Sequence, residues 1–265
     1  MYDSNSFGKF FVLSLLQDKN SNEYFFNQDP YNSEISFVHD LDVITNYCIK
    51  NKLKVVFIIV DNTFNITDFS KIDELIAQEL ETYIFFILIG ENPSLEDYFC
   101  GNIPIIKIST IALSYLAANG IYSLYMKSEL ISLDLSDICS VINNEGFTYF
   151  GYHKLYMEND NFYIDKEDIN IPTAFDWKKS HKILLNFCAN ENMELYDMQT
   201  IADYFQNFTN KKTKEILFGN SKDENKKDGD VEIFIYYSEI NNTFTNSEYG
   251  NYPEEIDIMM SHKKF

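Results

Sequence analysis

The segment Glu129-Leu-Ile-Ser-Leu-Asp-Leu-Ser-Asp-Ile138, with Gly146-Phe-Thr-Tyr-Phe-Gly151 shortly after it, joins two halves of unlike character. Ahead of it, Ser109 to Met126 is rich in small and apolar residues and reads as a long helix. That helix runs into a loop carrying Asp134 and Asp137. The two acids are three residues apart, so on the first turn of a helix both face the same way. A short helix from Leu135 to Glu145 follows, with Asp134 placed to cap it and Asp137 to favour its N-terminal dipole. A strand bracketed by Gly146 and Gly151 comes next.

Working outward toward the N-terminus, Lys9 to Leu16 reads as a buried opening strand, followed by the polar stretch Gln17 to Glu34 and a helical periodicity over Val38 to Lys50. Lys54 to Val60 is an unbroken β-branched and aromatic run, the pattern of a strand covered on both faces. Asp61-Asn-Thr-Phe-Asn-Ile-Thr67 follows, and Thr67 is placed to cap a helix over Asp68 to Glu81. Tyr83 to Ile89 is a second apolar strand that ends at Gly90, and Ile103 to Ile108 a third. Strands alternating with helices predict a parallel sheet with right-handed crossovers. Residues 1–108 are therefore expected to form a small α/β domain, with residues 109–128 as a central helix.

Toward the C-terminus the character changes. Tyr152 to Asp176 is polar and acidic, with a hairpin expected around Asn159 to Asn161. His181 to Cys188 reads as a strand, and Leu195 to Phe208 as an amphipathic helix with Ile201, Tyr204, Phe205 and Phe208 inward. Glu215 to Gly219 and Val231 to Tyr237 are two more strands, separated by a charged turn over Ser221 to Asp230. The alternation in Val231 to Tyr237 predicts one solvated face. An α+β domain with a mixed sheet over residues 129–240, and a flexible tail over 241–265, complete the expected organisation.

Composition bounds the function. At 265 residues, with 45% hydrophobic and 16% aromatic content, the chain can build a globular core in one large or two small domains. Its net charge of -20 argues against nucleic acid and against adsorption to an anionic membrane. All 21 basic residues are lysines, so guanidinium clamps and arginine fingers for phosphate are ruled out. Cys48, Cys100, Cys139 and Cys188 show no CxxC spacing and read as buried small residues of a reducing compartment. With neither a secretory signal at Met1 to Gly8 nor an apolar run of about 20 residues, a cytoplasmic protein is expected.

The acidic loop and its flanks resemble the joint between the two domains of the FtsZ/tubulin family, where the loop reads roughly Gly-Leu-Ile-Asn-Val-Asp-Phe-Ala-Asp-Val. The resemblance continues downstream. Lys182-Ile-Leu-Leu-Asn-Phe-Cys-Ala-Asn190 is similar to a family strand Gly-Val-Leu-Val-Asn-Ile-Thr-Gly-Gly, and Leu195 to Phe208 to the helix after it. Lys214-Glu-Ile-Leu-Phe-Gly-Asn220 resembles Ala-Asn-Ile-Ile-Phe-Gly-Ala, and Val231-Glu-Ile-Phe-Ile235 resembles a last strand Val-Arg-Val-Thr-Val. The end of the chain resembles the family's adaptor-docking peptide, with Ile256, Asp257, Ile258, Met259, Lys263 and Lys264 as the matching residues.

The family fold this implies is a shortened Rossmann-like layer, a long central helix and an FtsZ-like C-terminal domain. By resemblance, Asp134 and Asp137, with Ser132 in place of the family's Asn, are the residues that promote hydrolysis of a neighbouring subunit's GTP in a head-to-tail filament. The nucleotide side departs from the pattern. Asp61-Asn-Thr-Phe-Asn-Ile-Thr67 stands in place of Gly-Gly-Gly-Thr-Gly-Thr-Gly, and the chain has only nine glycines. Phosphate cradles need bare backbone so that several N–H groups can converge on an anion. Counting back without gaps from Leu130, Ile111 takes the place of the acid that reads guanine in the family.

The resemblance thus implies a degenerate, FtsZ-like cytoskeletal or cell-division protein with no resident cofactor, GTP and magnesium included. It is expected to act by assembly, binding FtsZ or its own copies head to tail and an adaptor through the tail. An active divergent GTPase that polymerises, and a plain interaction module on the same scaffold, are the alternatives. Elsewhere, His39, His153 and His181 lack metal-ligand spacing, Trp177 with Phe175 reads as a core anchor, and Glu158, Asp160, Asp165, Glu167 and Asp168 lack the central glycine of a calcium loop.

Overall fold

A computed structural model describes residues 10–14, 55–64, 83–92, 104–127, 130–142, 147–158, 161–164, 181–190, 192–208 and 215–238. The chain divides into two compact units, Met1–Ala118 and Asn119–Phe265.

In the first unit β1 (Phe10–Ser14), β2 (Val55–Val60), β3 (Tyr83–Ile89) and β4 (Ile105–Ile108) lie side by side in chain order. Every neighbouring pair is parallel, as the alternating pattern predicts. The register places Ile58 between Leu13 and Phe86. All six residues of β2 are buried, as a parallel strand covered on both faces requires. The Phe57 and Phe85 rings stack at 5.2 Å between β2 and β3. β4 starts at Ile105, after Pro104; proline has no N–H for a ladder, but its carbonyl still accepts from the Phe86 N–H at 2.9 Å.

Helix α1 (Ile111–Met126) starts two residues later than the sequence suggests. The Leu113 N–H donates to the Thr110 carbonyl at 3.1 Å, so Ser109 and Thr110 form the entry turn. The division between the two units falls inside this helix. The helices expected over Val38 to Lys50 and Asp68 to Glu81 lie outside the described residues, as do Cys48, Cys100, His39, Trp177 and the tail.

The second unit holds α2 (Leu135–Ile142), β5 (Thr148–Glu158), β6 (Asn161–Ile164), β7 (Lys182–Ala189), α3 (Leu195–Phe208), β8 (Glu215–Lys222) and β9 (Asp230–Ser238). Its sheet runs β5, β9, β7, β8, with β6 paired to β5. The β7–β8 pair is parallel and the others are antiparallel, a mixed sheet as expected. Glu158 stands opposite Asn161, which bears out the hairpin. Cross-strand rings fill the β5–β9 seam, Phe150 with Tyr236 at 5.1 Å and Tyr152 with Phe234 at 5.4 Å.

The structure corrects three details. β5 does not stop at Gly151; that glycine pairs with Ile235 and the strand continues to Glu158, because β9 supplies a partner as far as Tyr156 and β6 pairs with its end. β9 has no continuous solvated face, since the residues of both its faces are buried from Ile233 to Ser238. The charged turn covers Asp223 to Gly229 only, with Ser221 and Lys222 in β8, Asp230 in β9, and β7 lying between those two strands.

Candidate assembly loop

α2 buries Leu135, Ile138, Val141 and Ile142, an i, i+3, i+6, i+7 stripe that holds one side of the helix inward. Its first turn is built by the two acids. The Asp137 N–H donates to Asp134 Oδ1 at 2.8 Å, and the Asp134 N–H donates back to Asp137 Oδ2 at 3.2 Å. The Ile138 N–H reaches the Asp134 carbonyl at 3.1 Å. This is a reciprocal capping box, in which each carboxylate satisfies an N–H that the helix itself cannot. The structure therefore brings Asp134 and Asp137 together, both exposed, with Ser132 exposed two residues earlier. Ile256, Asp257, Ile258, Met259, Lys263 and Lys264 lie outside the described residues.

The loop ahead of the cap is held from β8. The Leu130 and Ile131 N–H groups both donate to Asn220 Oδ1, at 2.9 Å each. The Lys222 N–H donates to the Lys127 carbonyl at 3.3 Å. Gly219 leaves the room for this approach: a Cβ there would stand 2.6 Å from Leu124 Cδ1 and 3.1 Å from the Ile131 carbonyl oxygen. The end of α1 is fixed by a buried polar group one strand away. Asn186 Nδ2 donates to the Gly120 carbonyl at 2.7 Å and to Ser123 Oγ at 2.9 Å, while Ser221 Oγ donates to Asn186 Oδ1 at 3.1 Å. Gly120 packs so close to β9 that a Cβ would lie 2.8 Å from the Phe234 Cβ. The buried Tyr236 phenol is pushed well above its ordinary range by desolvation, opposed by a hydrogen bond with the Ile121 backbone.

Sequence reasoning found the acids and missed Asn186 and Asn220. The signal for Asn186 is one amide inside the otherwise apolar Ile183–Ala189 run; for Asn220 it is a polar residue after Gly219 where the resemblance has alanine. The two thiols next to this region are both raised above the ordinary thiol range. Burial, with Asp134 nearby, pushes Cys139 up to about 12, and burial pushes Cys188 up to about 11. Among the described residues no three His, Cys, Asp or Glu side chains gather as a metal site. Nor is any helix there long and apolar enough to cross a membrane.

At the turn after β2 the donors face the chain's own carboxylate. The Thr63 N–H donates to Asp61 Oδ1 at 2.9 Å, and Thr63 Oγ1 donates to the same oxygen. Asn92 Nδ2, buried, donates to the Asp61 and Phe64 carbonyls at 3.2 and 3.3 Å. A nucleotide phosphate requires several converging free N–H groups. Here the Thr63 N–H is already bound to the Asp61 carboxylate, so that donor is not offered to a phosphate.

The parallel β1–β4 layer, the long helix through residue 120 and the capped acidic loop over a mixed sheet define the FtsZ/tubulin-like fold, which the chain shares with solved structures at very low identity. No protein-family model matches the sequence, and no curated protein matches it. An empty FtsZ dimer from M. jannaschii superposes with a TM-score of 0.60 at 11% identity, over 90% of this chain and 90% of that one. CetZ from Methanosaeta thermophila strain DSM 6194 gives 0.56 at 11% identity, over 88% and 87%. TubZ from Bacillus thuringiensis serovar israelensis, in GDP-form protofilaments, gives 0.54 at 8% identity, over 87% and 85%.

Proposed function

We propose that this protein is a degenerate FtsZ-like subunit that acts by assembly, without its own GTP turnover. The observation that carries this reading is an asymmetry. The acidic loop is built, capped and exposed, whereas the β2 turn binds its own Asp61 where a phosphate would need donors. A head-to-tail contact is heterologous, pairing two different faces, so a subunit can keep its loop face intact while the opposite face, without a nucleotide, still receives a neighbour's loop. Such a subunit joins one end of a filament through Ser132, Asp134 and Asp137, whether the filament is FtsZ or copies of itself. The dimer and protofilament forms of its structural neighbours support this, as does the loop's exposure. The Ile256 to Lys264 peptide then serves as the docking point for a cell-division adaptor in the cytoplasm.

Sedimentation with an authentic FtsZ tests the reading. The chain is expected to enter the FtsZ pellet or to change its polymer mass, and to form larger species at high concentration by itself. Unchanged FtsZ polymer, no co-pelleting and a monomer at every concentration would reject it.

A further inference from the structure

The acidic loop carries more information than its two acids. From Leu130 to Asp134 burial alternates residue by residue: Leu130, Ser132 and Asp134 are exposed, and Ile131 and Leu133 are half-buried. Leu130 is 60% exposed, among the most exposed large apolar side chains of the described residues. A period of two makes the outward set sensitive to phase, because a shift of one residue exchanges the two sides. Yet the stretch is neither helix nor strand, so no backbone ladder of its own fixes that phase.

The geometry points to Asn220 as the positioning residue that sets the phase of the loop and so selects Leu130, Ser132 and Asp134 as the surface offered to a partner. Its side chain is 6% exposed, and its single carbonyl oxygen accepts from two consecutive backbone N–H groups, those of Leu130 and Ile131. Turning both N–H groups toward β8 fixes the peptide plane between them. The Leu130 side chain is thereby held outward, although burying it would be favourable. Gly219 provides the space for this approach, and the Lys127 carbonyl is tied to the next β8 position but two. The downstream end is fixed by the capping box at Asp134 and Asp137. Anchored at both ends, the loop presents one apolar and two polar groups in a single row. This inference rests on the assembly reading for its purpose, but the clamp itself stands on the hydrogen bonds.

Two measurements separate the two claims. Amide exchange of the native chain, followed by NMR, is expected to show Leu130 and Ile131 protected at least a hundredfold, although Leu130 is exposed and outside any helix or strand. Exchange at the free-peptide rate would overturn the clamp without any variant. In Asn220→Ala the same two amides are expected to exchange at least tenfold faster, with β7 and β9 amides unchanged and association weakened at least tenfold. Asn220→Asp keeps an acceptor at the same reach and is expected to restore both. A loop released in Asn220→Ala with association unaltered would overturn the positioning role. A native chain that never associates would sink the assembly reading and the loop's presentation role with it, and the exchange result would still decide the clamp.

Discussion

His153 is buried on β5 opposite Ile233, and desolvation pushes its imidazole down to about 4. In the unfolded chain the same group titrates near its ordinary value of 6.5. Between those limits the unfolded state takes up a proton that the native state refuses. The contribution to stability is complete above pH 6.5 and is lost as pH falls toward 4, at up to about 1.4 kcal/mol per pH unit. Urea unfolding at pH 7 and pH 5 is expected to show a smaller loss for His153→Gln than for the natural chain; equal losses would contradict the assignment. His153 was legible as a residue without metal-ligand spacing, but its depth was not, because burial is set by the tertiary fold, in which even its strand partner Ile233 is distant in sequence. Asn186 and Asn220 were illegible for the same reason. Their partners lie 66 and 90 residues away in sequence, and a single chain gives no signal of which amide meets which carbonyl.

At the scale of elements, α2 shows how one pair of residues can carry two readings. Asp134 is the N-cap, and removing a cap costs about 1 kcal/mol. Asn caps as well as Asp, so the helix does not need the charge, whereas electrostatic contact with a partner does. Asp134→Ala is therefore expected to lower stability by about 1 kcal/mol in denaturant titration, while Asp134→Asn with Asp137→Asn retains the fold and changes association. Full association by the double Asn variant would mean the acids serve only as a cap. The strands β2 and β3 were legible because unbroken apolar runs of six and seven residues have few other homes. β9 was misread because its alternation, Asp230 to Ile233, covers only its first half; the rest is apolar on both sides, and its interior place in the sheet comes from pairing with β5 and β7.

At the scale of the whole molecule, the fold survives with 8–11% identity to the solved structures named above. What is shared is the fold, and in this chain small residues allow its close approaches, Gly120 against β9 and Gly219 against the acidic loop. The stretch Asp61 to Thr67 after β2 holds no glycine, and Asp61 and Thr63 close the start of the turn on themselves. A sequence reading reaches the first of these facts through motif order and the second through residue type, and the structure adds that Thr63 donates both its N–H and its hydroxyl to Asp61. The direct test is phosphate release from GTP by the nucleotide-stripped chain with magnesium, at concentrations where it associates. The account predicts no release above the blank and no stoichiometric retention of guanine nucleotide. One nucleotide retained per chain, with turnover that disappears when Asp134 and Asp137 become Asn, would contradict it.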